Sequence, residues 1–209
     1  MGRRWLPFSL VLSLVAGCAQ SIPDQVRRLN EEGIHLLQGG AYAEAQRRFE
    51  EAHLLLPEDP VLMYNLANAA HQNGDLATAE HWYRQSLQRR PDLAPCRHGL
   101  ALLLFQTDRG QEARDMIVEW LRHNPHLADA HAQYGWLLRQ EGDLPAAQAH
   151  LQKALELDPG CTRALIELGI LYEAYHYPER ARELYQRVLR RHPQQPEASA
   201  RLAALRPSR

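Results

Sequence analysis

Three cysteines and eleven histidines are the residues of this 209-residue chain best suited to chemistry. A cysteine can serve as nucleophile, metal ligand or disulfide partner, and a histidine as base or ligand. Cys96 stands two residues before His98, but that spacing alone makes no catalytic pair. Cys96 and Cys161 lie 65 residues apart on different helix pairs, and a disulfide needs Cα atoms within about 7 Å. Cys96 is therefore expected to pack as a small apolar residue, and Cys161 to be a free thiol in a loop. His123, His126 and His131 fall on a loop and a helix start. A metal needs three or four ligands converging on one point, and these three match no ligand motif, so they read as solvated histidines. No glycine-rich phosphate loop, serine-nucleophile motif or paired-carboxylate site is present. A formal net charge of −1 suggests no nucleic-acid surface. Neither enzyme activity, cofactor nor metal is implied; what remains is binding.

Binding needs a surface, and residues 128–161 show how it is built. Ala128, His131, Tyr134, Gly135 and Leu138 recur at helical spacing and share a face. Gly142 ends that helix, because glycine tolerates the positive φ of a C-terminal cap. Asp143 can cap the next helix, with Pro145 in its first turn. Ala147, Leu151, Ala154 and Leu155 form the second stripe, and Pro159 stops it. The stretch predicts an antiparallel helix pair.

The pair recurs in phase. Pro57, Pro91, Pro125, Pro159 and Pro193 stand 34 residues apart. A small residue recurs in the first helix as Gly33, Ala67, Ala101, Gly135 and Gly169. An alanine recurs in the second as Ala45, Ala79, Ala113, Ala147 and Ala181, followed by Phe49, Tyr83, Ile117, Leu151 and Tyr185. Period, small and large positions and closing proline resemble the tetratricopeptide repeat over residues 26–193. The resemblance implies an all-α, right-handed solenoid of five repeats: 26–59, 60–93, 94–127, 128–161 and 162–195. Residues 196–205 continue the phase as a capping helix, before a basic tail to Arg209. The composition, 45% hydrophobic and 23% charged, suits soluble helices, and no stretch reads as a strand.

Repeat three departs most from the pattern. Arg97 takes the place of a bulky apolar residue, Asp108 that of the turn glycine, and Trp120 that of a small alanine. Trp120 would overpack a tight interface by about 1–3 kcal/mol unless the packing adjusts. Local reshaping is favoured over an outward-turned ring, since tryptophan is rarely left fully exposed. In repeat five, His176 replaces the turn glycine.

In arrays of the family resembled here, the first helices line a concave groove. Carrying its positions over places Asn30, Ile34 and Leu37 there from repeat one, and Tyr64, Asn65, Asn68 and His71 from repeat two. Repeat three adds His98, Leu102 and Phe105; repeat four Gln133, Trp136 and Arg139; repeat five Ile166, Ile170 and Glu173. Tyr64, Phe105 and Trp136 have no core duty in the standard repeat, so they are expected to project as binding anchors; the alternative is that they pack against neighbouring repeats. The lysine and arginine set with which some members clamp chaperone carboxylates is missing, since Asn30, Ile34, Pro95 and Gly99 occupy those positions. A groove with an apolar floor and polar rim suits an extended or helical protein segment.

The N-terminus sets location. Arg3 and Arg4 precede an apolar run, Leu6 to Ala16, of 11 residues, too short to span a bilayer but suited to a secretory signal. Leu14-Val15-Ala16-Gly17-Cys18 resembles a bacterial lipobox. That likeness implies cleavage after residue 17, lipid on Cys18 and a stable membrane anchor; a plain secretory signal is the alternative. By the same likeness, Ala19 points to the outer membrane facing the periplasm, with the plasma membrane as the other site. Residues 19–25 would be a tether of about 25 Å. The function expected is a lipid-anchored scaffold that holds a protein segment and helps assemble an envelope complex of pilus or secretion type. The other reading is an adaptor for an envelope protease or peptidoglycan hydrolase. Oligomeric state is open.

Overall fold

Turn chemistry divides the chain into helices of nearly equal length. The computed structural model describes residues 21–205; the expected signal segment and Cys18 lie outside them. Among the described residues there are eleven helices and no strand. The pairs are α1 (Ile22–Gln38) with α2 (Tyr42–Leu55), α3 (Pro60–Gln72) with α4 (Leu76–Arg89), and α5 (Ala94–Gln106) with α6 (Gly110–His123). There follow α7 (Ala128–Gln140) with α8 (Leu144–Leu157), α9 (Thr162–Ala174) with α10 (Pro178–Arg191), and a single α11 (Pro196–Ala204). The fold is an α-solenoid, in which each pair packs on its neighbours along the chain.

The caps follow from the sequence. The carboxylates of Asp75 and Asp143 accept from the backbone N–H of Thr78 and Ala146, both at 3.1 Å, which satisfies donors that a helix start leaves open. Each pair turns through a residue of positive φ: Gly40 at 80°, Gly74 at 86° and Gly142 at 85°. At the same phase stand Asp108 at 57° and His176 at 62°. A side chain in this left-handed region costs about 1–2 kcal/mol, less for aspartate than for histidine. His176→Gly is therefore expected to stabilise the protein by about 1 kcal/mol, and Asp108→Gly by less. Urea unfolding midpoints check both the sign and the order.

The interior is the repeated small-and-large spine. Ala45, Ala79, Ala113, Ala147 and Ala181 are fully buried, as are Phe49, Tyr83, Ile117, Leu151 and Tyr185 at 1% exposure or less. Three pairs meet as expected: an added Cβ would lie 2.5 Å from Phe49 at Gly33, 2.7 Å from Leu151 at Gly135, and 2.5 Å from Tyr185 at Gly169. Such close approach requires glycine.

One expectation changes here and one is met. The tether through residue 25 is shorter, because Ser21 accepts the backbone N–H of Asp24 at 3.3 Å and starts α1 at Ile22. Trp120 is buried, at 5% exposure, with the Arg97 guanidinium 4.7 Å above its ring. The two irregular residues of repeat three thus explain each other. The indole fills space that an apolar residue would take, and Arg97 covers it by a cation–π contact while reaching the Pro91 carbonyl at 2.5 Å.

Candidate functional site

The first helices α1, α3, α5, α7 and α9 line one side of the array, and polar side chains link them across repeat boundaries. Asn65 donates to the Asn30 amide oxygen at 2.6 Å. His71 Nε2 lies 2.7 Å from Gln106 Oε1, and His98 Nδ1 lies 3.1 Å from Gln133 Oε1. Each of these pairs is 35 residues apart in sequence, one period plus one residue, so the repeat itself generates the ladder. Further along, Glu167, at 1% exposure, accepts from Arg139 at 2.8 Å and Arg163 at 3.3 Å. A buried carboxylate of this kind is held only with a cationic partner in place.

Two adjoining cavities open on this side. The first, of about 410 Å³, is lined by Tyr64, Asn68, His71, Tyr83, His98, Leu102, Gln106 and Arg163 among others. The second, of about 360 Å³, shares Pro95, His98 and Arg163 with it and adds Asp129, Gln133, Asp158 and Ile166. Arg163 of α9 thus reaches residues of α3 and α5, because the curl of the array brings non-adjacent repeats to one hollow. Its positive charge helps hold the His98 imidazole in the neutral form.

His98 is 9% exposed, and burial pushes its pKa down to about 3, with Arg163 and Arg139 acting in the same direction. A neutral ring that shares a hydrogen bond with Gln133 Oε1 must donate from Nδ1. The amide nitrogen of Gln133 is then left buried without a partner in the cavity wall. The sign of the pH effect follows. Below about pH 6.5 the unfolded chain binds a proton at His98 that the folded chain refuses until about pH 3. Stability falls through that window, by about 2 kcal/mol between pH 7 and pH 5 from this residue. Urea titrations at both pH values should show a smaller loss for His98→Asn; equal losses would place the ring in water.

The cavities bring together Tyr64, Asn68, His98, Leu102, Gln133 and Ile166. Asn65, Phe105, Trp136, Arg139 and Ile170 line neither. The expectation that the three aromatics have no core duty is corrected. Trp136 is 2% exposed and packs edge-on to His98 at 4.9 Å and Phe105 at 5.5 Å. Its indole N–H lies 3.0 Å from the Gln140 amide, oriented to accept. Phe105 is half-buried beside it, and Tyr64 packs on Tyr83 with ring centres 6.3 Å apart. Adjacent first helices touch one another, so a bulky residue between them fills the inter-repeat seam. Ile166 is buried at 1% exposure and Asn65 at 7%, while Ile170 packs against the core.

Sequence reading missed Tyr83, Gln106 and Arg163. Gly99 was the available signal, since an added Cβ there would lie 2.6 Å from the Tyr83 ring; this glycine lets a second-helix phenol reach the hollow. Cys96 and Cys161 are both buried and unpaired. Burial raises the Cys96 thiol to about 11 and that of Cys161 to about 12, so neither is poised as a nucleophile.

The tetratricopeptide repeat family matches residues 30–94, 98–160 and 138–205. The chain belongs to this family. The repeat protein is 30% identical over 167 residues to cellulose synthase operon protein C of Pseudomonas fluorescens, covering 76% of this chain and 13% of that one. It is 34% identical over 87 residues to the photosystem I assembly protein Ycf3 of Synechococcus elongatus, covering 39% and 50%. The repeat protein thus spans half or less of these relatives' own lengths. Among solved structures, a thermophilic tetratricopeptide protein of Thermus thermophilus shares the fold with TM-score 0.65 and 24% identity, covering 86% of this chain and 98% of that one. Membership of this family suggests a protein–protein interaction scaffold.

Proposed function

We propose that the repeat protein is a non-enzymatic, lipid-anchored envelope scaffold that takes a protein segment into the hollow between α3, α5, α7 and α9. The carrying observation is Gln133, 3% exposed, whose amide nitrogen has no partner in the wall of the second cavity. An unmet buried donor costs about 1–3 kcal/mol, and a peptide carbonyl would satisfy it once a small turn of the Gln133 side chain brings the nitrogen to the cavity surface. Around it stand Asn68 with both donor and acceptor, the cationic Arg163, the carboxylates of Asp129 and Asp158, and the apolar Leu102 and Ile166. Such mixed chemistry suits a main chain with its alternating donors and acceptors, together with apolar side chains. The lipobox-like Leu14–Cys18 supports the anchor, and one relative named as an assembly protein supports work on a multi-protein complex; with an envelope anchor, that complex would be of pilus or secretion type.

The test is site-specific photo-crosslinking in the source cells. A photoreactive side chain at Leu102 should capture an envelope protein that the same group at Val118, exposed on α6, does not. Arg163→Ala with Asn68→Ala should reduce that product with little change in melting temperature, since Arg139 still holds Glu167. The same product from both positions would place the contact outside the hollow.

A further inference from the structure

We propose that the corner formed by the α2–α3 turn and the first turn of α1 lies flat against the lipid surface into which Cys18 is anchored. This rests on the lipid-anchor reading above. Five of the eight large apolar residues exposed among the described residues cluster in these two short segments: Ile22, Leu54, Leu55, Leu56 and Val61. Singly exposed leucines are ordinary; a group whose members adjoin marks a contact surface, and Ile22, Leu56 and Val61 line one depression beside Leu54 and Leu55 at the end of α2.

The repeat register shows that this corner is special to the first pair. The positions equivalent to Leu54 hold Gln88, Arg122, Glu156 and Arg190. Those equivalent to Leu56 hold Arg90, Asn124, Asp158 and His192. Val61 stands where later repeats carry Pro95, Asp129, Arg163 and Glu197. Those equivalent to Leu55 hold Arg89, His123, Leu157 and Arg191. Apart from Pro95 and Leu157 the same corner is polar elsewhere along the array, so the repeat's own packing does not require the aliphatic side chains. Leu54 is 79% exposed and Leu56 42%.

The α1 helix also begins a turn early. Its residue 26 is in phase with Pro60, Ala94, Ala128 and Thr162, the starts of the other first helices, yet α1 starts at Ile22. The added turn carries Ile22 and Pro23 to Val26, Leu56, Val61 and Leu62, which together line a depression of about 270 Å³. The carboxylates in the turn are compensated: Asp59 caps α3 at 2.7 Å from the Val61 N–H, and Glu58 pairs with Arg89 at 2.6 Å.

Lipid is the occupant because of where the chain leaves. Ser21 caps the turn that bears Ile22, and Cys18 precedes it by three residues, a span of at most about 11 Å. Acyl chains on Cys18 would enter the bilayer within that distance of the corner. Aliphatic side chains held there reach the headgroup and acyl boundary, where burial of apolar area adds to the lipid's own hold.

The experiment uses the lipidated full chain reconstituted into vesicles of phosphatidylethanolamine and phosphatidylglycerol. A polarity-sensitive dye is placed at Leu56→Cys, or at Asn124→Cys, its equivalent in repeat three. Cys96 and Cys161 are buried and do not compete for label. The dye at 56 should shift to the blue and lose most of its emission to brominated lipid, while the dye at 124 stays as in water. Water-like emission at both sites on protein that floats with the vesicles would overturn the docking and leave the anchor standing. Protein that fails to float, with a water-like dye at 56, would overturn both. A blue shift that needs raised protein concentration and no vesicles would overturn the docking too, and assign the corner to a second copy of the chain.

Discussion

Trp136→Ala is expected to lower stability by about 3–5 kcal/mol, the range for truncating a buried large aromatic. The ring is 2% exposed and held edge-on by His98 and Phe105. Its removal opens a cavity at the seam between α5 and α7, which rigid helices cannot collapse to fill. It also leaves the Gln140 amide without the indole donor 3.0 Å away. Because the array is stabilised by neighbour contacts, the loss should concentrate in the third and fourth pairs. Hydrogen exchange should show lost protection first in α5 and α7, alongside a lower urea midpoint. An unchanged midpoint with unchanged exchange would mean the ring is not in the core. The consequence for function is practical: a partner lost by Trp136→Ala reports unfolding of the seam, so Arg163 and Asn68 are the residues with which to question the hollow.

Gly169→Ala should cost about 1–3 kcal/mol, although alanine is the better helix former by about 1 kcal/mol. The new methyl carbon would sit 2.5 Å from the Tyr185 ring. That ring is fully buried, and its hydroxyl donates to the Glu173 carboxylate, so it has nowhere to move. Repeat three shows the compensated arrangement, with Ala101 and Ile117 both fully buried at the equivalent positions. Tyr185→Ile should therefore be less damaging in the Gly169→Ala background than in the native chain, with a coupling of about 1–3 kcal/mol in a double-mutant cycle. Additive losses would show that this small residue is not matched to its large partner.

The helix pairs, their phase, the turns and the small-against-large spine were all readable from the order of residues. They depend on local rules: a left-handed turn residue every 34 positions, an aspartate before a helix, and a small residue opposite a bulky one. Even the irregular third repeat was legible as reshaped, because tryptophan is rarely left fully exposed; that Arg97 would cover Trp120 was decided by packing. The groove was legible as a set of first-helix positions, but not as a site. Which of those side chains meet a ligand depends on how far adjacent first helices approach, and that sum of small rotations has no local signature. Tertiary packing took Trp136 into the seam and Ile166 into the wall. It sent Tyr83 past Gly99 into the hollow and brought Arg163 to His98 from two repeats away and to Tyr64 from three. Burial then decided the chemistry: His98 became neutral and Gln133 kept one donor unmet, because a polar group's behaviour is set by what the fold excludes around it.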